Sequence, residues 1–433
     1  MRSQSSGTKS SSTAVGFNLI NTAIGGGILG YPYIVRQLGI VIGVFFIIFA
    51  GLLTVFSTSV LQKCKNLSKK NSYVEIAEAC FAQKGRILCA VVIVINTLGG
   101  CILYLTVFAT VVQNLLEAFH PACDPDLDSP PFFCKNNTLI AFGGLLILPF
   151  NFLKKLDKLK FVSLVKVGAV AVFTIITVAF SISRIISGEN ASDITLWPGS
   201  GTPVATIAAV PSIFFGYSFL YNQFTLYDSL KDPSDKKFAK ILKFSLSFIG
   251  FIYLSVGLFG YLIYGNETDN MLINFKKKDL GPFWFAVLNI GFFICSLGGI
   301  PLKFYPAKNI IYEAVYTQIK KGSKELEQQP QHPSLSEIEE DTHQKDKMLY
   351  IIVVLAINIF IVLMALVVPG VNQVLGPLGS VGSASLMFLF PMSFYLKLEN
   401  EGGRMKVYAM ILLMFGATVL VVGLVTNILA MSL

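Results

Sequence analysis

The sequence predicts an all-α polytopic membrane protein with eleven membrane-spanning helices. Of its 433 residues, 54% are hydrophobic and only 14% are charged, which is too apolar for a water-soluble protein. Apolar runs of spanning length recur along the whole chain. The predicted spans cover residues 13–38, 41–62, 87–116, 138–153, 161–184, 203–229, 241–264, 281–305, 348–368, 371–396 and 407–430. The net charge is +9, and the basic residues lie in short loops between these runs. We therefore expect a lipid bilayer, and no nucleic acid, as a partner.

The first span contains an unusual concentration of helix-breaking residues. Residues 18–33 have the sequence NLINTAIGGGILGYPY, in which Gly25, Gly26 and Gly27 are consecutive and Pro32 follows closely. A membrane helix unwinds only where protein or a ligand replaces the hydrogen bonds that its backbone loses. Glycine also lets a ligand approach the bare backbone. The segment therefore predicts a broken helix around a ligand site, the alternative being that the three glycines form only a close-packing face for a neighbouring helix.

Basic residues predict the orientation of the chain. With the amino end in the cytosol, 25 of the 34 Lys and Arg residues fall in cytosolic segments and six fall on the other side, as the positive-inside rule requires. Lys276, Lys277 and Lys278 lie in an outside loop and run against the rule.

The hydrophilic stretch at 320–347 is expected to be a disordered cytosolic linker, with either a regulatory role or none.

Glycosylation sequons agree with this orientation. Those at Asn136, Asn190 and Asn266 fall in loops assigned to the outside, where glycans are added. A fourth sequon, at Asn66, falls in a cytosolic loop, so we expect it to stay unmodified.

Two of the seven cysteines share an outside loop. Cys123 and Cys134 lie between the third and fourth spans, where oxidising conditions permit a disulfide. We expect this bridge to form and to have a structural role, because closing so short a loop stabilises the fold by about 3 kcal/mol at most.

The sixth span repeats the feature that marks the first. Pro203, Pro211 and Gly216 interrupt it, and it begins a second set of five spans just as the first span begins the first set. Paired broken helices in corresponding positions indicate an inverted-repeat transporter with a site near the middle of the membrane. The chain then divides into a cytosolic tail (1–12), a first five-helix repeat (13–186), an outside loop (187–202), a second repeat (203–396) and an eleventh helix with a short non-cytosolic end (397–433).

At these residues the chain resembles the amino acid/auxin permease family of secondary transporters. This family includes sodium-coupled neutral amino-acid transporters and their proton-coupled and vacuolar relatives. The first span matches the family pattern through Asn18, Gly25, Gly27, Leu29 and Pro32. Later matches are the YDSLKDPS segment at 227–234, the eighth-span stretch with Pro301, Pro306 and Lys308, and the GPLGSVGSASLMFLFP segment of the tenth span. The resemblance implies a LeuT-type fold of two inverted five-helix repeats plus an eleventh helix, with an amino acid as the substrate.

Departures from the family pattern bear on the coupling ion. Many sodium-coupled members carry a Cys-His pair in the sixth span, where this chain has Phe219 and Leu220. Their eighth span carries Thr residues shortly before the first proline, whereas residues 297–300 here are Leu, Gly, Gly and Ile, and Ser296 is the nearest hydroxyl. Since sodium prefers oxygen ligands, we expect a proton in preference to sodium, and no other cofactor.

Lys166 in span five and Lys303 in span eight are the clear ionisable residues within the spans, away from their ends. A partly desolvated lysine could exchange protons near neutrality, and its ammonium could occupy the place where a relative holds sodium. We therefore name Lys166, Lys303 and Ser296 as ion-coupling candidates. The alternative for each lysine is that its ammonium extends to water at the nearby membrane boundary.

The predicted substrate site centres on the first break. We expect the carboxylate of an amino acid to bind the N–H groups around Gly25, Gly26 and Gly27, aided by the positive end of the half-helix that follows. The ammonium would bind carbonyl groups of the unwound parts of spans one and six. The candidate polar contacts are Asn21 and Thr22, and the residues expected to shape the side-chain pocket are Phe215, Tyr217 and Ser218. For Asn21 and the aromatic residues, packing is an equal alternative.

Other functional classes fit less well. All three histidines, His120, His332 and His343, lie in loops, and no catalytic constellation is present, so the chain is not expected to be an enzyme. A receptor-like homologue that binds an amino acid without moving it is the alternative function. A channel suits two broken helices around a midplane site less well than alternating access does. We expect a monomer in the plasma membrane or a vacuolar or lysosomal membrane.

Overall fold

A computed structural model describes residues 9–123, 130–153, 160–189, 191–275, 277–322, 347–368, 370–400 and 402–432. Asn190, residues 1–8 of the predicted tail and residues 323–346 of the predicted linker lie outside the described residues. The described chain consists of helices joined by short turns, which confirms the all-α class.

Fifteen α-helices lie within the described residues, and they are numbered here in chain order. They are α1 (Ser12–Ala23), α2 (Tyr31–Leu38), α3 (Ile40–Ser68), α4 (Tyr73–Phe119), α5 (Asn136–Asn151), α6 (Lys160–Ile186), α7 (Pro203–Gly216), α8 (Gln223–Asp228), α9 (Asp235–Tyr264), α10 (Met271–Asn274), α11 (Lys277–Gly322), α12 (Lys347–Val367), α13 (Val371–Leu378), α14 (Phe390–Leu398) and α15 (Arg404–Ser432). Short 3₁₀ turns at Gly26–Gly30 and Leu220–Asn222 connect α1 to α2 and α7 to α8.

Within the described residues, nine helical segments are long and apolar enough to cross a membrane. The first and fourth predicted spans fall short of that length for different reasons. The first is divided into α1 and α2 by the glycine segment. The fourth, α5, is continuous but has only 16 residues. Counting both, the helices correspond to the eleven predicted spans.

Several helices extend beyond their apolar cores. The helix α4 begins at Tyr73, well before the predicted start at 87, and is kinked at Phe81 and Ala82, where the backbone leaves helical geometry. Its start is set by Ser72, whose hydroxyl accepts a hydrogen bond from the Glu75 N–H, as N-cap residues commonly do. The apolar run in the sequence located the membrane-spanning part of α4, because only that part has to be apolar.

The broken spans lie inside the bundle. The helix α2 packs against α3, α7 and α9, and α1 packs against α6 and α9. The long α11 packs chiefly against α4 and α6, and the eleventh span, α15, lies along α7. Residues 26–30 of the first break are all buried. Both breaks are therefore enclosed by protein, which is the condition under which a membrane helix tolerates unpaired backbone groups.

The two ends of the bundle separate the sequons. The Asn66 amide donates to the Asp235 carboxylate at the start of α9, with a distance of 2.7 Å. Asn266 follows the end of the same helix, where its backbone N–H donates to Asp193. Since α9 has 30 residues, the two sites are about 45 Å apart and lie at opposite ends, in agreement with the predicted topology.

The disulfide expected in the loop between α4 and α5 is present. Cys123 and Cys134 are bonded, with their Cα atoms 5.3 Å apart, and both side chains are buried. The five other cysteines, Cys64, Cys80, Cys89, Cys101 and Cys295, are free and buried.

Candidate substrate site

The first break leaves three backbone donors without backbone acceptors. The helix α1 ends at Ala23, and Gly25 is extended, with φ −145° and ψ −162°. In a continuous helix the N–H groups of Gly25, Gly26 and Gly27 would bond to carbonyls four residues earlier. In the part of the chain that the structure describes, these three N–H groups donate to no backbone carbonyl. The break therefore exposes a cluster of hydrogen-bond donors.

Side chains lie against two of the carbonyls that the break releases. The Lys166 ammonium of α6 donates to the Asn21 carbonyl at 2.7 Å, in place of the Gly25 N–H. The Tyr253 hydroxyl of α9 lies 3.4 Å from the Ala23 carbonyl, in place of the Gly27 N–H. Because these carbonyls have side-chain donors beside them and the three N–H groups have no backbone acceptor among the described residues, the backbone of this break is suited to an anionic group.

The second break is tied to the first by tyrosines. The Tyr253 hydroxyl also donates to the carbonyl of Gly216, the last residue of α7, at 2.8 Å. Tyr31 stacks on Tyr253 with ring centroids 4.2 Å apart and donates its own hydroxyl to the Ile213 carbonyl at 3.1 Å. A methyl group at position 216 would collide with the Tyr31 hydroxyl, so the glycine permits this contact.

A small cavity of about 20 Å³, enough for about one water molecule, lies between the breaks. Its lining comes from both broken spans and from α4, α9 and α11. The lining residues are Ala23, Gly25, Gly26, Gly27, Gly100, Leu103, Tyr104, Phe215, Gly216, Tyr253 and Lys303. None of these lining residues is a carboxylate, and one is a lysine.

Tyr104 places a polar group beside the first break. It is 2% exposed, and among the described residues its hydroxyl has no hydrogen-bond partner. A methyl group at Gly25 would lie 2.5 Å from that hydroxyl oxygen, and one at Gly299 would lie 2.5 Å from the ring carbon that carries it. Two glycines thus leave room for the ring, and its hydroxyl, which has no partner among the described residues, lies beside the unwound backbone.

Four of the residues proposed from the sequence line the cavity, and four lie behind it. Gly25, Gly26, Gly27 and Phe215 belong to the lining. The polar groups of the other four are engaged elsewhere: the Asn21 amide donates to Ser163, the Thr22 hydroxyl to the Asn18 carbonyl, the Tyr217 hydroxyl to the Ile47 carbonyl and the Ser218 hydroxyl to the Asn96 side-chain oxygen. These four side chains support the breaks in this structure, and their contact with substrate stays a prediction.

The ion-coupling candidates occupy three different environments. Lys166 is 3% exposed, and its ammonium lies 5.4 Å from the centre of the Tyr104 ring. Lys303 lines the cavity and donates to the Tyr221 hydroxyl at 3.2 Å. The Ser296 hydroxyl bonds to the Phe292 and Phe293 carbonyls of its own helix. Both lysines therefore turn into the protein in this structure, and their role in ion coupling stays a prediction.

Sequence reasoning missed six lining residues: Ala23, Gly100, Leu103, Tyr104, Gly216 and Tyr253. Ala23 and Gly216 end the helices α1 and α7 at the breaks. The other four come from α4 and α9, and a single sequence does not indicate which turn of a continuous helix faces a break elsewhere. A signal for the inward face of α6 was available. Ser163, Lys166, Thr177 and Ser181 recur at helical spacing and are all buried, and such a polar stripe in a membrane helix faces protein.

The fold and the cavity together define a multi-pass membrane transporter. The fold is similar to that of a solved structure described as the inward facing conformation of Mhp1, which is 11% identical in sequence, with a TM-score of 0.57 over 98% of this chain and 91% of that chain. This similarity confirms the LeuT-type fold.

Residues 8–431 match the family model described as transmembrane amino acid transporter protein. The chain therefore belongs to the transmembrane amino acid transporter family, whose members are transporters and not enzymes. The chain is 27% identical over 308 residues to amino acid transporter AVT6A of Arabidopsis thaliana, covering 67% of this chain and 65% of that one. It is 23% identical to sodium-coupled neutral amino acid transporter 7 of Xenopus laevis, covering 94% and 86%. It is 24% identical to vacuolar amino acid transporter 5 of Schizosaccharomyces pombe, covering 96% and 92%.

Proposed function

We propose that this protein is a secondary active transporter that moves amino acids by alternating access around its two broken spans. The observation that carries the proposal is the set of three backbone N–H groups, at Gly25, Gly26 and Gly27, that have no backbone acceptor among the described residues and belong to residues lining a cavity. The substrate carboxylate binds these donors and the Tyr104 hydroxyl. The substrate ammonium binds carbonyl groups at the ends of α1 and α7, where each oxygen retains a lone pair beyond the one that Tyr253 uses.

The experiment that tests this proposal is a change of Gly26 to leucine. A β-carbon at Gly26 would lie 3.1 Å from Val107 and 3.7 Å from Leu103, so a leucine side chain would fill the space beside the unwound backbone. We expect Gly26→Leu to abolish amino-acid uptake into proteoliposomes while expression and membrane insertion persist. Gly168→Leu is the matched control, because Gly168 on α6 has no atom within 4 Å of the position of an added β-carbon.

Retained uptake in Gly26→Leu would defeat the proposed carboxylate site. Substrate binding by the unmodified protein without flux would instead favour a receptor-like homologue. A panel of amino acids, each tested with an imposed sodium or proton gradient, identifies the substrate and the coupling ion in the same measurement.

We further propose that transport is coupled to a proton in preference to sodium, with Lys166 as the carrier. The support is geometric. The Lys166 ammonium occupies the gap that the missing Gly25 N–H leaves at the end of α1, so a cation already stands where oxygen ligands would otherwise gather. The Ser296 hydroxyl, which a sodium ion would need, is bonded within its own helix.

The same proposal includes a monomer with its amino end in the cytosol, in a vacuolar or lysosomal membrane or the plasma membrane. The support for the orientation is the excess of basic residues in the segments assigned to the cytosol.

A further inference from the structure

Lys303 gives the cavity a positive charge that no protein group neutralises within the described residues. Its side chain passes Gly100 of α4, where an added β-carbon would lie 3.3 Å from Lys303 Cδ. Its ammonium donates to the Tyr221 hydroxyl, a neutral partner. The ion pairs of the described chain join Lys65 to Asp228 and Arg86 to Glu78 and Glu313, so none of them includes Lys303.

Among the described residues, the lining of the cavity adds no negative charge. It contains no Asp or Glu. The other charged group close to Tyr104 is Lys166, which is also a cation and is bonded to a neutral carbonyl. A buried charge is costly unless an opposite charge accompanies it. A zwitterion, with no net charge, would leave this site positive, whereas a substrate with one extra negative charge would balance Lys303.

The spacing of the donors fits a substrate with two anionic ends. Tyr104 packs against Gly25 and Gly299. Lys303 follows Gly299 by four residues on α11, and Gly100 precedes Tyr104 by four residues on α4. The Lys303 side chain thus lies about one helical turn, roughly 5 Å, along the cavity from the Tyr104 ring. The unwound glycines and Tyr104 form one donor group, and Lys303 forms a second.

We infer that Lys303 is a specificity-determining residue that binds the side-chain carboxylate of an acidic amino acid. The inference rests on the proposed function, in which the glycine N–H groups bind the α-carboxylate. It assigns Lys303 to substrate selection and leaves Lys166 for coupling. Selectivity between two substrates separates this role from a structural one. Glutamate carries a side-chain carboxylate and glutamine carries the amide of the same shape, so a residue that binds the carboxylate should favour glutamate.

The test is uptake into proteoliposomes that contain the purified full-length protein. Initial rates are measured for radiolabelled L-glutamate and L-glutamine under the same imposed gradients. For the unmodified protein we expect kcat/KM for glutamate to exceed that for glutamine at least tenfold. Lys303→Gln should lower this ratio at least tenfold, chiefly by raising KM for glutamate. Lys303→Arg, which keeps the charge, should retain a preference for glutamate. Lys243→Gln, an exposed position on α9, is the matched control and should leave the ratio unchanged.

Distinct outcomes separate this inference from the function on which it rests. If the unmodified protein transports glutamine as well as or better than glutamate, the inference is wrong and the proposed function stands. The same holds if Lys303→Gln leaves the ratio unchanged. If no amino acid of the panel enters the liposomes, the proposed function fails and the inference with it. Should Lys303→Gln not fold, the ratio measured for the unmodified protein still decides, because a preference for glutamine overturns the inference by itself.

Discussion

At the scale of single residues, two tyrosines at the cavity have opposite roles. The Tyr104 hydroxyl is buried without a partner among the described residues. The Tyr253 hydroxyl, in contrast, bridges the ends of α1 and α7 through Ala23 and Gly216. A buried polar group without a partner costs stability, so the presence of this hydroxyl at the cavity indicates a ligand that binds it. One tyrosine is therefore available for substrate, and the other holds the site together.

This contrast predicts different effects for the same substitution. Tyr104→Phe removes no hydrogen bond within the described protein, so Tm should not fall. It removes a donor to a charged carboxylate, worth about 1.5–3 kcal/mol, so KM should rise about tenfold or more. Tyr253→Phe should lower the free energy of unfolding by about 1 kcal/mol. Thermal denaturation and uptake kinetics of both variants check this, and a lower Tm with unchanged KM for Tyr104→Phe would contradict it.

The proposed coupling role of Lys166 also belongs to this scale. If the Lys166 ammonium carries the proton, Lys166→Ala should remove the acceleration of uptake by an inward proton gradient, while substrate binding stays measurable. Binding by calorimetry and gradient-driven uptake are measured on the same preparation. Uptake by the unmodified protein that depends on sodium and ignores the proton gradient would rule this role out.

At the scale of elements, the sequence predicted the broken helices better than it predicted their partners. Gly25, Gly26, Gly27 and Pro32 mark the first break because local backbone chemistry alone makes a continuous helix unfavourable there. The group that replaces the lost hydrogen bond is Lys166, which is 145 positions away from Asn21. Such a pairing depends on how α6 packs against α1, and no local pattern specifies it. Tyr104 was not predicted for the same reason, since it faces the break only through the packing of α4.

The loop between α4 and α5 gives a prediction for the cysteines. Alkylation of the unfolded protein without reductant should label the five free thiols, and after reduction it should label all seven. Cys134→Ser should lower the free energy of unfolding by up to about 3 kcal/mol and leave KM unchanged, because the bridge lies outside the cavity. Mass spectrometry counts the labels. Seven labels without reductant would contradict the disulfide.

At the scale of the whole molecule, glycosylation in cells tests the predicted membrane topology. Asn136, Asn190 and Asn266 should be accessible to glycosylation on the non-cytosolic side, whereas Asn66 should stay bare at the opposite end of α9. Among variants that lack single sequons, glycosidase treatment should therefore shift the Asn66 variant as far as the unmodified protein, because both carry three glycans, and should shift each of the other three variants less, because each carries two. A glycan on Asn66 would overturn the predicted orientation.

The short α5 helix has a consequence for the lipid around the transporter. Its 16 residues extend about 24 Å, whereas the hydrocarbon core of a typical bilayer is about 30 Å thick. Phe142 and Leu145 on this helix are exposed, so we expect them to face acyl chains in a bilayer. Hydrophobic mismatch of this kind is relieved by local thinning of the bilayer, at a fraction of a kcal/mol per ångström. We therefore expect the lipid annulus beside α5 to be compressed, and a membrane with shorter acyl chains to accommodate this face of the protein at lower elastic cost.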